Sequence, residues 1–176
     1  MFFHVQLEKN IRLHPRNFGP QLHQTLKQKL SSEVEGQCTG RYGYIITVTS
    51  ISHIGQGKIA ESSGYATFLV KYRAIVMRTF KSEIVDAVVT RVTKIGFFAS
   101  VGPLEIFISR HGIPTDMTFD PDSSPPRYIA EDQNATIAQD TEVRLKIMGT
   151  KIEANGLFAI GTIKEDYLGP IAIEQL

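Results

Sequence analysis

The sequence predicts an α+β protein in two parts, a strand–helix–strand unit over residues 1–80 and a five-stranded β-barrel over residues 81–176. Three observations carry this reading. Phe18, Leu22, Leu26, Leu30 and Val34 recur every four residues, which gives one apolar helix face. Around and after that stripe, apolar residues alternate with period two, as strands with one buried face do. The charge is also divided. Residues 1–80 hold 10 Lys/Arg against 4 Asp/Glu, a net of +6, and residues 81–176 hold 9 against 14, a net of −5, consistent with the overall +1.

Phe2 to Leu7 reads as an opening strand, with Phe3, Val5 and Leu7 alternating against His4 and Gln6. Leu13 to Pro20 is a stiff connector, and Pro20 suits the first turn of a helix, where its missing N–H costs nothing. The helix then runs to Gly36, a stop residue. Gly40-Arg41-Tyr42-Gly43 lacks the Lys-Ser/Thr ending of a nucleotide loop and reads as a turn. Tyr44 to Val48 follows as a strand, and Ile54 to Glu61 is a short edge strand bounded by Gly55, Gly57 and Gly64. Tyr65 to Met77 is a long strand with Phe68, Val70, Tyr72, Ala74 and Val76 on one face and Lys71 and Arg73 on the other. This order makes a compact α+β unit.

Thr79 to Ser82 is a short hinge, and Glu83 to Ser109 then carries three β-rich runs broken by Gly96 and by Gly102-Pro103. Gly96 predicts a bulge or sharp bend, and Gly-Pro a hairpin turn. In the third run Leu104, Ile106 and Ile108 point inward, which leaves Phe107 on the polar face. Arg110 to Thr141 reads as irregular and acidic, with Pro114, Pro121, Pro125 and Pro126, a loop long enough to be functional or partly disordered. Strand four is Glu142 to Met148, with Val143, Leu145 and Ile147 inward and Arg144 and Lys146 outward. Strand five is Leu157 to Lys164.

Composition narrows the function classes. Cys38 is the single cysteine, so no disulfide framework is expected, which suits a reducing intracellular compartment. The start Met-Phe-Phe-His-Val lacks a basic n-region and apolar core, so no signal peptide is expected. No apolar run reaches the ~18–20 residues of a membrane span, and the Asn134-Ala135-Thr136 sequon reads as chance. The five histidines have no metal-ligand spacing, no cysteine pair could hold zinc, and Cys38 has no cue for an activating base. Glu165 and Asp166 are adjacent, so a strand would point them to opposite faces. The chain reads as non-enzymatic, without metal or cofactor.

The stronger pattern is nucleic-acid binding. Phe98 and Phe107 stand outward on the second and third barrel strands, Arg144 and Lys146 on the fourth, and Lys94 precedes Gly96. In an OB barrel the binding face is built on strands two and three with flanking loops. Outward aromatics there are base-stacking platforms, worth ~1–3 kcal/mol per base. A lone exposed ring is also ordinary on a protein surface, and a neighbouring domain could cover it. The acidic balance of this half argues for weak stand-alone binding to a polyanion, useful when the RNA is delivered at high local concentration.

Val85 to Ser109 resembles the S-one RNA-binding domain family, an OB module. That family's second strand, Phe-Gly-Ala-Phe-Val, is matched by Ile95-Gly96-Phe97-Phe98-Ala99, and its Leu-Val-His-Ile-Ser by Glu105-Ile106-Phe107-Ile108-Ser109. Phe107 thus stands where the family carries a histidine, and Ile95 replaces the first aromatic. Over the whole chain, Leu13-His14-Pro15, Phe18-Gly19-Pro20, Val34-Glu35-Gly36, Val70-Lys71-Tyr72-Arg73-Ala74, Val101-Gly102-Pro103 and Ile163-Lys164-Glu165-Asp166-Tyr167-Leu168-Gly169 resemble the stalk-subunit family of RNA polymerase II. That is the seventh subunit, with counterparts in the archaeal enzyme and in polymerases I and III.

The resemblance implies that residues 1–80 are a truncated ribonucleoprotein-like tip domain, which docks on the polymerase II core beside the clamp through His14, Pro15, Phe18, Gly19 and Pro20. It implies a heterodimer with the smaller fourth subunit and a barrel at the RNA exit channel that contacts nascent single-stranded RNA and supports initiation. The protein would be nuclear, with a cytoplasmic share left open. Two alternatives stand beside this one: a stalk subunit of another nuclear polymerase, and a stand-alone single-stranded RNA-binding OB protein of RNA processing or translation. A ribonuclease or translation factor would need a nuclease or GTPase domain, for which these 176 residues leave no room.

Overall fold

The computed structural model describes residues 1–132, 134–153 and 156–171. The chain divides into two compact units, Met1–Arg78 and Thr79–Leu176. The first is built from β1 (Phe2–Leu13), α1 (Leu22–Val34), β2 (Cys38–Thr39), β3 (Gly43–Ile54), β4 (Lys58–Ile59) and β5 (Ala66–Met77). Its antiparallel sheet runs β1-β5-β3-β2, with β4 also on β5.

β1 is longer than its alternation predicted. It pairs with β5 along its whole length, from Phe2 opposite Met77 to Leu13 opposite Ala66. Backbone pairing carries the polar stretch Glu8-Lys9-Asn10 along with it, and Ile11 and Leu13 finish fully buried. The expected edge strand over Ile54–Glu61 contracts to the two residues Lys58 and Ile59, because β5 already holds β3 beyond that point.

The helical stripe packs on the sheet as its spacing requires. Leu26, Leu30 and Val34 join Ile11, Ile45, Val70 and Tyr72 in one core. Phe18 does not. The helix begins at Leu22 after the cap residue Gln21, and Pro15–Asn17 form a separate turn of 3-10 helix. Phe18 therefore sits in the connector, 41% exposed. At the other end Gly36 takes φ 79°, the left-handed conformation that ends a helix. The Glu35 carboxylate accepts hydrogen bonds from the Val48 N–H at 2.8 Å and the Thr47 hydroxyl at 3.1 Å, tying the helix end to a bulged stretch of β3.

The second unit contains β6 (Ile84–Thr93), β7 (Gly96–Val101), β8 (Leu104–Ser109), β9 (Met117–Asp120), β10 (Arg127–Ala130), β11 (Thr136–Ile137), β12 (Glu142–Glu153), β13 (Gly156–Thr162) and β14 (Gly169–Pro170). Its main sheet runs β13-β8-β7-β6-β12-β14, and a further β12–β13 pairing closes it. The result is a five-stranded barrel in which β8 and β13 are parallel and β14 is an outer addition. Val89, Phe97, Ile106, Ile108, Val143, Leu145 and Ile147 fill its interior, each fully buried.

Two expectations are corrected here. Of the bulge or sharp bend expected at Gly96, the bend is there, at the β6–β7 turn, but the bulge of this hairpin lies between Val89 and Arg91 on β6. Gly96 instead opens β7 at φ 145°, pressed so closely on Ile108 and Ser109 that a Cβ would sit 2.9 Å from the Ser109 Cα. The segment Arg110–Thr141 is not irregular throughout either. It folds into a three-stranded antiparallel sheet, β11-β10-β9, anchored by fully buried Tyr128 and Ile137. Its strands are too short, at four, four and two residues, for period two to stand out among so many prolines and acids.

Candidate nucleic-acid interface

The site is a row of side chains crossing four strands on the outer face of the barrel. Phe98 on β7 is directly opposite Phe107 on β8. Their neighbours Phe97, Ala99, Ile106 and Ile108 are all fully buried, so alternation turns both rings outward. The ring centroids are 4.8 Å apart at an interplanar angle of 42°, and both rings are half-buried. Two aromatics in this arrangement brace each other and leave part of each ring exposed, as a stacking platform requires.

The row continues on both sides. Arg91 on β6 pairs with Phe98, and its guanidinium carbon lies 4.5 Å from the ring centroid. On the other side Ile160 of β13 pairs with Phe107 in parallel register and is 49% exposed. A cation, two rings and an aliphatic side chain thus form a continuous strip, suited to stacked bases with a backbone phosphate near Arg91.

Sequence reasoning missed Arg91 and Ile160. Strict alternation from buried Val89 would turn Arg91 inward, but the bulge leaves both Thr90 and Arg91 exposed before Val92 returns to the core. Nothing in the sequence marks that bulge. Ile160 is outward by alternation, yet its place beside Phe107 depends on the parallel β8–β13 pairing between strands nearly fifty residues apart in the chain.

The two cations expected on strand four are outward but already engaged. Arg144 donates from Nε and Nη2 to the two Asp86 oxygens at 2.7 and 2.9 Å. The hydrogen bond from Arg144 holds the Asp86 carboxyl below the usual carboxylate range, against a smaller opposing effect of burial, and the same bond raises Arg144. Lys146 donates to both Glu165 oxygens at 2.9 and 2.8 Å. These pairs hold β12 to β6 and to the segment after β13, and as neutralised pairs they contribute little field to a phosphate. The structure thus holds Arg144 and Lys146 in ion pairs and puts Arg91 beside the Phe98 ring.

Lys94 is exposed in the two-residue turn Lys94–Ile95. Buried Tyr128 braces this turn, its hydroxyl lying 2.9 Å from the Thr93 carbonyl oxygen and 3.2 Å from that of Lys94. Burial raises the Tyr128 phenol above its ordinary range, partly offset by nearby Arg110, so it remains a donor.

In the first unit, Pro15, Phe18, Gly19 and Pro20 are all exposed. His14 caps the 3-10 turn by accepting from the Arg16 N–H at 3.1 Å and meets Tyr65 edge-on, with centroids 5.1 Å apart. Burial raises the Cys38 thiol, away from a reactive thiolate. Among the described residues no group of three or more His, Cys, Asp or Glu could hold a metal ion.

A closed OB-type barrel with an outward aromatic pair, preceded by an α+β unit built on one helix, defines a two-domain class of protein. Residues 8–64 match the family described as "SHS2 domain found in N terminus of Rpb7p/Rpc25p/MJ0397", and residues 78–158 match the S1 RNA binding domain. The chain is 54% identical over 171 residues to the DNA-directed RNA polymerase II subunit rpb7 of Dictyostelium discoideum, covering 97% of this chain and 99% of that one. It is 45% identical to the RPB7 subunit of Saccharomyces cerevisiae, covering 97% and 100%. Identity to the polymerase V subunit 7 of Arabidopsis thaliana is 32%, covering 99% and 100%. The chain belongs to the RNA polymerase II subunit 7 family, whose members are non-catalytic polymerase subunits.

Proposed function

We propose that this chain is the stalk subunit of a nuclear RNA polymerase II and that its barrel holds nascent single-stranded RNA on the Arg91–Phe98–Phe107–Ile160 row. The observation that carries the RNA reading is the facing Phe98–Phe107 pair, 4.8 Å between centroids. Two rings kept half-exposed on the outer face of a barrel have no core to fill. Stacking of bases on them is sequence-tolerant, because every base has a π-face, as contact with an arbitrary transcript requires.

Residues 1–80 are the docking domain in this reading and residues 81–176 the RNA-binding domain. The connector His14–Pro20, exposed from Pro15 onward and with Phe18 41% exposed, is the segment that meets the polymerase core beside the clamp. The fourth subunit would pair with this chain to complete the stalk. Exposed Ile84, Val88 and Met148 on β6 and β12 offer such a partner an apolar face. Higher identity to polymerase II relatives than to the polymerase V relative supports assignment to polymerase II.

The test is crosslinking of a photoreactive transcript in a reconstituted elongation complex. Phe107→Ala is expected to lower crosslinking to this chain several-fold, in line with ~1–3 kcal/mol per stacked base. Unchanged crosslinking would remove the stacking role.

A further inference from the structure

The unit that must hold a polyanion is net acidic, and two of its outward cations, Arg144 and Lys146, are held by carboxylates. A second feature answers this. Beside the aromatic row lies a cleft of about 230 Å³ lined by Arg110, His111, Ile113, Pro114, Thr115 and Lys164, with Met117 at its base. No carboxylate lines it. Arg110, His111 and Lys164 are all exposed, and among the described residues none of their side chains has a hydrogen bond or an ion pair.

The fold brings these three side chains together through the parallel strands. β8 and β13 run in the same direction, with Phe107 opposite Ile160, so both deliver their C-terminal ends to one end of the barrel. His111 lies four residues beyond Phe107 and Lys164 four beyond Ile160, about 10–13 Å along the strands at the usual rise per residue. The Gly112 carbonyl oxygen accepts from the Ile163 N–H at 2.8 Å and from the Thr162 hydroxyl at 3.0 Å, which pins the Arg110–Gly112 turn to the exit of β13. The Arg110 N–H donates to the Ile95 carbonyl at 2.9 Å, which brings the Lys94 turn to the same end.

We propose that this cleft is a phosphate subsite, gripping the backbone of the RNA strand whose bases stack on Phe98 and Phe107. The assignment rests on the RNA reading above and deepens it. At about 230 Å³ the cleft falls below the ~300–1,000 Å³ of pockets that enclose drug-sized ligands, and its cations match a phosphate group. Arg110 supplies a planar fork of donors and Lys164 a point charge. Stacking on the row fixes the bases without reading them, and the cleft fixes the direction in which the strand leaves.

The experiment uses the full chain and a fluorescein-labelled uridine octanucleotide, with anisotropy followed across a salt series. Each phosphate contact contributes about 0.7 to the slope of log affinity against log salt for a single strand, or about four-fold in affinity at 0.15 M salt. Arg110→Gln combined with Lys164→Gln is expected to weaken binding about fourteen-fold and to lower the slope by about 1.4. Both residues are exposed, so the urea midpoint should not move. The charge-keeping pair Arg110→Lys with Lys164→Arg is expected to retain the slope. Phe107→Ala is expected to lower affinity at an unchanged slope.

If the wild-type chain does not bind the octanucleotide, the RNA reading falls and this proposal with it. If it binds with Phe107 dependence while the double Gln variant keeps affinity and slope, the cleft assignment alone is overturned. In a parallel titration with inorganic phosphate followed by chemical shift, loss of that response alone in the variant, with octanucleotide binding unchanged, would make the cleft a free-anion site and overturn the assignment equally.

Discussion

Arg91 lies over the ring of Phe98, its guanidinium carbon 4.5 Å from the centroid, across the β6–β7 hairpin. A one-residue bulge makes this contact, since it puts two consecutive outward residues, Thr90 and Arg91, between buried Val89 and Val92. The Thr90 hydroxyl donates to the Phe98 carbonyl at 3.2 Å, so the bulged strand is held to its partner at the level of the ring.

Arg91 is accordingly expected to matter for RNA where Arg144 does not. One phosphate contact to a single strand is worth about four-fold in affinity at 0.15 M salt, so Arg91→Ala should weaken oligouridine binding by about that factor. Arg144→Ala should leave affinity near wild type, because that guanidinium is committed to Asp86. Anisotropy titrations of the two variants side by side give the comparison, and equal losses would contradict the separation of the two sites.

The Asp86–Arg144 pair predicts a pH signature of its own. The folded-state pKa of Asp86 is lowered, so its contribution to stability is fully present above the ordinary carboxylate value of about 3.9. That contribution is lost as pH falls through the lower folded value. The difference in urea midpoint between wild type and Asp86→Asn should therefore be constant at neutral pH and shrink in strong acid. It should also be small, since both partners are about half exposed and screened by solvent. A difference that grows toward low pH would contradict the assignment.

Tyr128 links the inserted sheet to the β6–β7 turn through its hydroxyl. Tyr128→Phe keeps the buried ring and removes that donor, at a cost of about 1 kcal/mol. For a unit of this size the thermal midpoint should fall by roughly 4–8 °C. Thermal unfolding followed by circular dichroism measures it, and an unchanged midpoint would show the hydroxyl to be idle.

Gly96→Ala should be far more costly. The residue sits at φ 145°, and a Cβ there would collide with the Ile108 carbonyl oxygen and the Ser109 backbone. Backbone strain of about 1–3 kcal/mol combines with displacement of β8, the strand that carries Phe107. The variant should unfold at clearly lower urea and bind RNA more weakly than its folded fraction explains. Wild-type stability would refute the close approach.

The connector gives a test of docking. Replacing Pro15, Phe18 and Pro20 together by Ala or Ser should release the chain from purified polymerase core without lowering its thermal midpoint, because all three side chains are exposed. Pairing with the fourth subunit should be retained. Normal retention on the core would move the docking surface elsewhere in the first unit.

Local pattern in the sequence was enough for much of this. Period four placed Leu26, Leu30 and Val34 on the buried face of α1, and period two placed Leu104, Ile106 and Ile108 inside the barrel with Phe107 outside. Those signals are legible because burial repeats at the period of each element. Phe98 and Phe107 could be named in advance for the same reason, as outward rings on strands with buried neighbours.

Which residues those rings meet was decided only by the tertiary structure. Arg91 faces Phe98 because a bulge shifts the register of β6, and Ile160 stands beside Phe107 because β13 returns parallel to β8. Arg110, His111 and Lys164 gather where those two strands end together. Arg144 and Lys146 are silenced by carboxylates 58 and 19 residues away in the chain. Register and long-range pairing depend on backbone hydrogen bonds between distant segments, and such bonds leave little trace in the side-chain pattern of either strand.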